Sequence, residues 1–82
     1  MAISRVIIYT TEYCPYCHAA IKLLKSKGVH FQEMDVSDND ELRHKLVQMS
    51  GGRETVPQIF IDGKSIGGYN ELVAFYDSGK TI

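Results

Sequence analysis

Apolar residues come in short blocks whose spacing changes along the chain. Val6-Ile7-Ile8-Tyr9 is an unbroken β-branched and aromatic run, the pattern of a strand buried on both faces. Further on the spacing becomes helical. Ala20, Ile21, Leu23 and Leu24 make one stripe among good helix formers, and Lys25, Lys27 and Gly28 supply a stop signal. Val29 to Val36 alternates roughly and reads as a second strand. Asp38, with Glu41 three residues later, resembles a capping box; the helix it opens has Leu42, Leu46 and Met49 on its apolar face and ends at Gly51-Gly52. Gln58 to Ile61 is a third strand, Asp62-Gly63 a strong hairpin signal, and Lys64 to Ile66 the returning strand. Gly67-Gly68 breaks it, and Asn70 is placed as the N-cap of a last helix lined by Leu72, Val73, Phe75 and Tyr76.

The predicted order is therefore β-α-β-α-β-β-α. A strand-helix-strand unit makes a parallel pair and the hairpin adds an antiparallel one, so the expected fold is α/β, a four-stranded mixed sheet flanked by helices. No linker, repeat or low-complexity tract divides the 82 residues, which are read as a single domain spanning 1–82. Hydrophobic residues at 44% are enough for a packed core.

Charge narrows the function classes. Nine Lys and Arg against ten Asp and Glu leave a net charge of −1, so the clustered basic excess that draws a protein to nucleic acid or an anionic membrane is missing. No apolar run approaches the roughly 20 residues of a membrane-spanning helix. Val6 to Tyr9 follows a single arginine and precedes no small-residue cleavage site, so a soluble, cytoplasmic chain is expected.

The cysteines change the picture most. There are two, Cys14 and Cys17, in the segment Cys14-Pro15-Tyr16-Cys17 between the first strand and the first helix. In open α/β sheets that carboxyl end of the strands is where sites form. Cys14 falls just before the helix and Cys17 in its first turn, where unpaired N–H groups and the positive helix end favour thiolate over thiol. Pro15 suits the first helical position, having a preset φ and no N–H to lose. Cys14 is expected to be the more exposed and more acidic sulfur, hence the nucleophile, and Cys17 the resolving thiol in thiol–disulfide exchange. Three other readings are weaker. A structural disulfide across so short a loop constrains little. Zinc needs four ligands, and beyond the pair only the scattered His18, His30 and His44 remain. Cys14 to His18 also matches the C-x-x-C-H haem pattern, but four predicted strands suit that poorly, and His18 reads as an exposed helix residue.

The second dense segment is Arg53-Glu54-Thr55-Val56-Pro57-Gln58-Ile59-Phe60. Pro57 heads a strand, where a missing N–H is tolerated. A cis Val56-Pro57 bond would expose the Val56 backbone to an extended peptide, though most X–Pro bonds are trans.

Taken in order, Cys14-Pro15-Tyr16-Cys17, Thr55-Val56-Pro57 and Gly67-Gly68-Tyr69 resemble a dithiol glutaredoxin of the small bacterial type, over nearly the whole chain from about Val6 to Tyr76. The resemblance implies a thioredoxin fold, a cis Pro57, and reduction of protein disulfides and glutathione mixed disulfides. Glutathione is then the electron-donating co-substrate, with no tightly bound cofactor and no metal. It further implies that the glutathione cysteine joins Cys14 beside Tyr16, that its backbone pairs with Val56 next to Thr55 and Pro57, and that its γ-glutamyl end meets Gly68, Tyr69 and Asn70. A monomer acting on protein substrates such as ribonucleotide reductase is expected on the same grounds.

Two positions depart from the family pattern. Thr11 stands where a Lys is common, and Asn70 where an Asp commonly follows the Gly-Gly turn. Both bear on binding strength, not on the reaction. Arg53 and Glu71 are candidate replacements for the charges, against the plainer reading of each as a solvated residue. Two further functions stand beside the first: a thioredoxin-like electron carrier served by a flavoprotein reductase, and a dimer bridging a [2Fe–2S] cluster through Cys14 and glutathione.

Overall fold

A computed structural model of the chain describes residues 5–52 and 56–80. Its elements follow the order β1 (Val6–Thr10), α1 (Pro15–Ser26), β2 (Gln32–Asp35), α2 (Asp40–Met49), β3 (Gln58–Ile61), β4 (Lys64–Gly67) and α3 (Tyr69–Asp77). The strands form one sheet in the order β2-β1-β3-β4. β1 runs parallel to β2 and antiparallel to β3, and β3 pairs antiparallel with β4. This is the mixed α/β sheet of the thioredoxin fold.

The sheet is covered on both faces, which explains the unbroken apolar run of β1. Val6 and Ile8 point to one side, where Ala20 and Leu24 of α1, Ile59 of β3 and Leu72 of α3 complete a cluster. Tyr9 points to the other, packing with Val36, Leu46 of α2 and Phe60 of β3; its ring meets that of Phe60 edge-on at 5.5 Å. Alternate residues of a strand face opposite sides, so a strand with helices on both faces must be apolar throughout. At Asp62-Gly63 both φ angles are positive, 52° and 82°, as a type I′ hairpin turn requires. The Asp62 carboxylate accepts the Arg5 N–H at 2.8 Å, tying this turn to the start of β1.

Four expectations are corrected. The second strand begins at Gln32, not Val29, because Gly28 and Val29 belong to the end of α1. Gly28, at φ 69°, donates to the Lys25 carbonyl at 3.0 Å, and Val29 to the Leu24 carbonyl at 3.1 Å. That pair of bonds is a Schellman cap, which satisfies carbonyls a strand would leave open. Val29 and Phe31 still pack on the core, so their apolar spacing reports burial without a ladder. The N-cap of α2 is Asn39, not Asp38: its Oδ1 accepts the Leu42 N–H at 2.9 Å. Asp40 and Glu41 then occupy the first turn, where the helix dipole favours acids. Met49, assigned to the apolar face of α2, is about half exposed. Asn70 is not the cap of α3; Gly68 is, and Asn70 lies in the first turn.

Among the described residues no helix is long and apolar enough to cross a membrane.

Candidate active site

The site is built where β1 stops. Thr10 is buried, its carbonyl accepts the Val36 N–H at 2.8 Å, and its hydroxyl donates to Glu33 at 2.9 Å. Beyond it the chain is tied down: the Glu12 N–H donates to Ser37 Oγ at 2.7 Å, and the Ser37 N–H to Asp35 Oδ1 at 2.8 Å. The Ser37 bonds hold the Asp35 carboxyl below its ordinary range. These tethers deliver Cys14 to the head of α1 in an extended conformation (φ −134°, ψ 100°), with Pro15 at the first helical position.

Cys14 is the side-chain cap of α1. Its sulfur accepts the Cys17 N–H at 3.1 Å, so a first-turn amide that would otherwise lack a helical partner is aimed at the sulfur atom. The Cys14 carbonyl accepts the His18 N–H at 3.2 Å and begins the helical ladder. No bond joins the two sulfurs. Cys14 keeps 8% of its surface exposed and Cys17 only 1%. The Cys17 thiol is pushed up to about 12, first by burial and then by its hydrogen bond to Cys14; the charges of Cys14 and Glu33 add to the rise, while a hydrogen bond with the Thr11 backbone opposes it. One turn of helix thus holds two thiols in different settings.

The Val56-Pro57 peptide bond is cis, as the resemblance implied. The Val56 carbonyl accepts the Cys14 S–H at 3.6 Å, which places this segment directly against the first cysteine. Thr55, Arg53 and Glu54 lie outside the described residues.

A groove of about 330 Å³ opens beside this contact. Tyr16 of α1, Val56 and Pro57 contribute to its lining, as do Gly68, Tyr69 and Asn70 at the start of α3. The Tyr16 and Tyr69 rings stand 6.1 Å apart, tilted by 36°. Gly68 approaches closely: a Cβ there would sit 3.2 Å from the Pro57 carbonyl oxygen. Its extended backbone lets α3 begin immediately after β4, with Leu72 N–H bonding the Gly68 carbonyl at 3.0 Å and no side chain capping the helix. Asn70 is left to face the groove. The structure therefore gathers Tyr16, Val56, Pro57, Gly68, Tyr69 and Asn70 into one cavity next to Cys14. Glu71 shares that lining.

A second groove, of about 380 Å³, includes Thr11, Tyr13, Arg43 and again Val56. Motif reading did not single out Tyr13 or Arg43. Tyr13 carried a usable signal, an aromatic residue directly before the cysteine motif; Arg43, distant on α2, carried none. Among the described residues no group of three or more His, Cys, Asp or Glu is placed to hold a metal ion.

Comparison with known proteins agrees with this geometry. The glutaredoxin family model matches residues 6–66. Glutaredoxin 3 of Escherichia coli is 54% identical over 71 residues, which cover 87% of this chain and 84% of that protein. A glutaredoxin of Pseudomonas aeruginosa is 47% identical over 75 residues, covering 92% and 88%. Among solved structures, the Brucella melitensis glutaredoxin superposes with a TM-score of 0.83 at 46% identity, covering 96% of this chain and 85% of that one. A buckwheat glutaredoxin–glutathione complex superposes at 0.85 with 32% identity, covering 94% and 72%. The cysteine pair, the cis Pro57 and the groove beside them sit in a chain that belongs to the glutaredoxin family.

Proposed function

We propose that this glutathione-dependent thiol–disulfide oxidoreductase works on glutathione mixed disulfides and protein disulfides through Cys14, with Cys17 as the resolving thiol. The observation that carries the reading is the environment of the Cys14 sulfur. It sits at the head of α1, receives the Cys17 N–H, leans on the Val56 carbonyl and borders a groove sized for a small peptide.

The chemistry follows from those contacts. The Cys14 thiolate attacks one sulfur of a mixed disulfide; a new S–S bond forms, the old one breaks, and the departing thiolate takes up a proton. Ionisation removes the S–H that occupied the Val56 carbonyl, freeing that acceptor for a substrate backbone N–H, while the Cys17 N–H stays on the sulfur. Glutathione bound to Cys14 lies against Tyr16 and Pro57, with its γ-glutamyl end at Gly68, Tyr69 and Asn70; Thr55 completes the segment. A second glutathione then reduces Cys14, or Cys17 does so when a protein is attached. Cys17 cannot compete for free disulfides, because a thiol near 12 is ionised only to roughly one part in 10⁵ at pH 7. The same reading gives a cytoplasmic monomer whose partners are glutathione and disulfide-bearing proteins such as ribonucleotide reductase.

The test is a coupled assay on a glutathione mixed disulfide with glutathione and its reductase. Turnover is expected from the wild type, none from Cys14→Ser, and retained turnover from Cys17→Ser. Reduction of a protein disulfide should largely fail in Cys17→Ser, since the intramolecular thiol clears the bulky intermediate at high effective concentration. Turnover with thioredoxin reductase and none with glutathione would replace this reading by a thioredoxin-like carrier.

A further inference from the structure

Alternate residues of β1 face the same side, so Thr10 ends the row that Val6 and Ile8 begin. Cys17, Ala20 and Leu24 are the buried residues of α1, and Cys17 stands at its active-site end. A hydrogen bond joins Cys17 to the Thr11 backbone, so the resolving thiol lies against the last residues of β1. On β2, Glu33 is in register with Ile8 and shares its face. Thr10 is 1% exposed, and its hydroxyl donates to Glu33 Oε2 at 2.9 Å. A buried hydroxyl thus fixes the carboxylate of an exposed residue on the cysteine side of the sheet. Two charges act on Cys17: that of Cys14 on its own helix and that of Glu33 across the strands. β3, β4 and α3 bring Ile59, Ile66, Leu72, Tyr69 and Tyr76 to this face, none of them charged at neutral pH.

We propose that Glu33 is a positioning residue for the resolving step: its negative charge, anchored by Thr10, opposes a second one on Cys17 and prolongs the life of the mixed disulfide on Cys14. The proposal rests on the oxidoreductase reading and deepens it, because that lifetime decides which thiol reduces Cys14. When Cys17 is slow, a second glutathione arrives first; when Cys17 is fast, the internal disulfide closes. The charge acts through Cys17 alone and takes no part in the exchange. A purely structural role would need only an acceptor for the Thr10 hydroxyl, which a glutamine supplies equally well. Glu33→Gln therefore separates the charge from the hydrogen bond.

The test mixes reduced protein rapidly with excess oxidised glutathione, quenches with acid and weighs the products by mass spectrometry. First the Cys14 thiolate attacks one glutathione sulfur, and the other glutathione leaves as thiolate and takes up a proton. Then Cys17 loses its proton to solvent and attacks the Cys14 sulfur; the bound glutathione leaves as thiolate and is protonated in turn. The lifetime of the mixed disulfide is the readout. Glu33→Gln should shorten it by roughly 1.5- to 3-fold at neutral pH and low salt, the effect of one partly screened charge less the lower nucleophilicity of a more acidic thiol. Glu33→Lys, which reverses the charge, should shorten it further. Added salt should bring all three proteins together, a response that a lost hydrogen bond or a packing change would not give. An equal or longer lifetime in Glu33→Gln, or a shortening that salt leaves untouched, overturns the proposal. Failure of Cys14 to take up glutathione even in Cys17→Ser is a different outcome, since it removes the oxidoreductase reading and the role of Glu33 with it.

Discussion

The Cys17 thiol gives the sharpest handle on the site, because its perturbation has a sign, a window and a size. Its value rises from an ordinary 9.0 to about 12, burial being the largest cause. The charged form of a thiol is the deprotonated one, so the direction of the stability effect is fixed. Below about pH 9 the folded and unfolded chains both hold the proton, and Cys17 makes stability no more pH-dependent. Between 9 and 12 the unfolded chain releases it while the folded chain keeps it, so stability falls as pH rises. At pH 10 the loss is about 1 kcal/mol, since one unit above the unfolded value corresponds to about 1.4 kcal/mol. For a domain of this size each kcal/mol moves Tm by roughly 4–8 °C. Thermal unfolding under reducing conditions at pH 7 and pH 10 reads this directly, with Cys17→Ala as the comparison. The variant starts lower, having lost a buried side chain, but the readout is the drop between the two pH values. Alkaline groups away from the cysteine pair, including Tyr76, whose hydroxyl burial also raises, titrate equally in both proteins. The wild type should lose about 4–8 °C more than Cys17→Ala. Equal drops would mean that Cys17 does not carry a raised pKa, and its inertness toward free disulfides would need another cause.

Three further outcomes follow from particular contacts. Gly68→Ala places a methyl 3.2 Å from the Pro57 carbonyl; with φ at −99° the backbone tolerates the residue, so stability should change little while KM for a glutathione mixed disulfide rises roughly 3-fold or more as the two walls of the groove part. Asn39→Ala should cost about 1 kcal/mol in urea unfolding, and Asp38→Ala clearly less, because only Asn39 caps α2. Thr11→Lys, restoring the charge the family commonly carries, should tighten the glutathionylated substrate by a few-fold, on the order of 0.2–1 kcal/mol, and the gain should fade with salt; an unchanged KM at low salt would show that a cation already at the groove suffices.

The parts of the fold that were legible before the structure are those decided by neighbours in sequence. β1 announces its two-sided burial in four residues, and Asp62-Gly63 its turn in two. The motif at Cys14 predicted its own helix start, because proline and a side-chain acceptor are local devices. Where two candidates were locally equivalent, tertiary contacts chose. Asp38 and Asn39 both cap helices well; the choice follows from where the chain is held by the bonds of Ser37 to Glu12 and Asp35. Asn70 lost the cap of α3 because Gly68 brings the helix up against β4 without a turn between them. Val29 and Phe31 show why alternation is not enough to define a strand: the same spacing serves a loop whose apolar residues pack beneath a helix. The grooves were least legible. Tyr16 and Tyr69 are 53 positions apart and Arg43 lies on another element entirely. A sequence lists such residues without their distances.

The difference between the two cysteines is also set by position, and it bears on the order of the reaction. Residues three apart in a helix lie on one face, so spacing alone would give two similar thiols. The fold separates them by burying Cys17 on the inner face of α1 while Cys14 remains outside the first turn as its cap. Two of the causes that raise Cys17, the hydrogen bond and the charge, come from the Cys14 sulfur. The charge is lost when that sulfur enters a mixed disulfide, while burial, the largest cause, remains. In the proposed reaction the Cys17 thiol is therefore most strongly held in its protonated form while Cys14 carries charge, and less strongly once Cys14 has taken a substrate. The hydrogen-bonded pair on one helical turn thus favours, in that proposed reaction, attack by Cys14 before attack by Cys17.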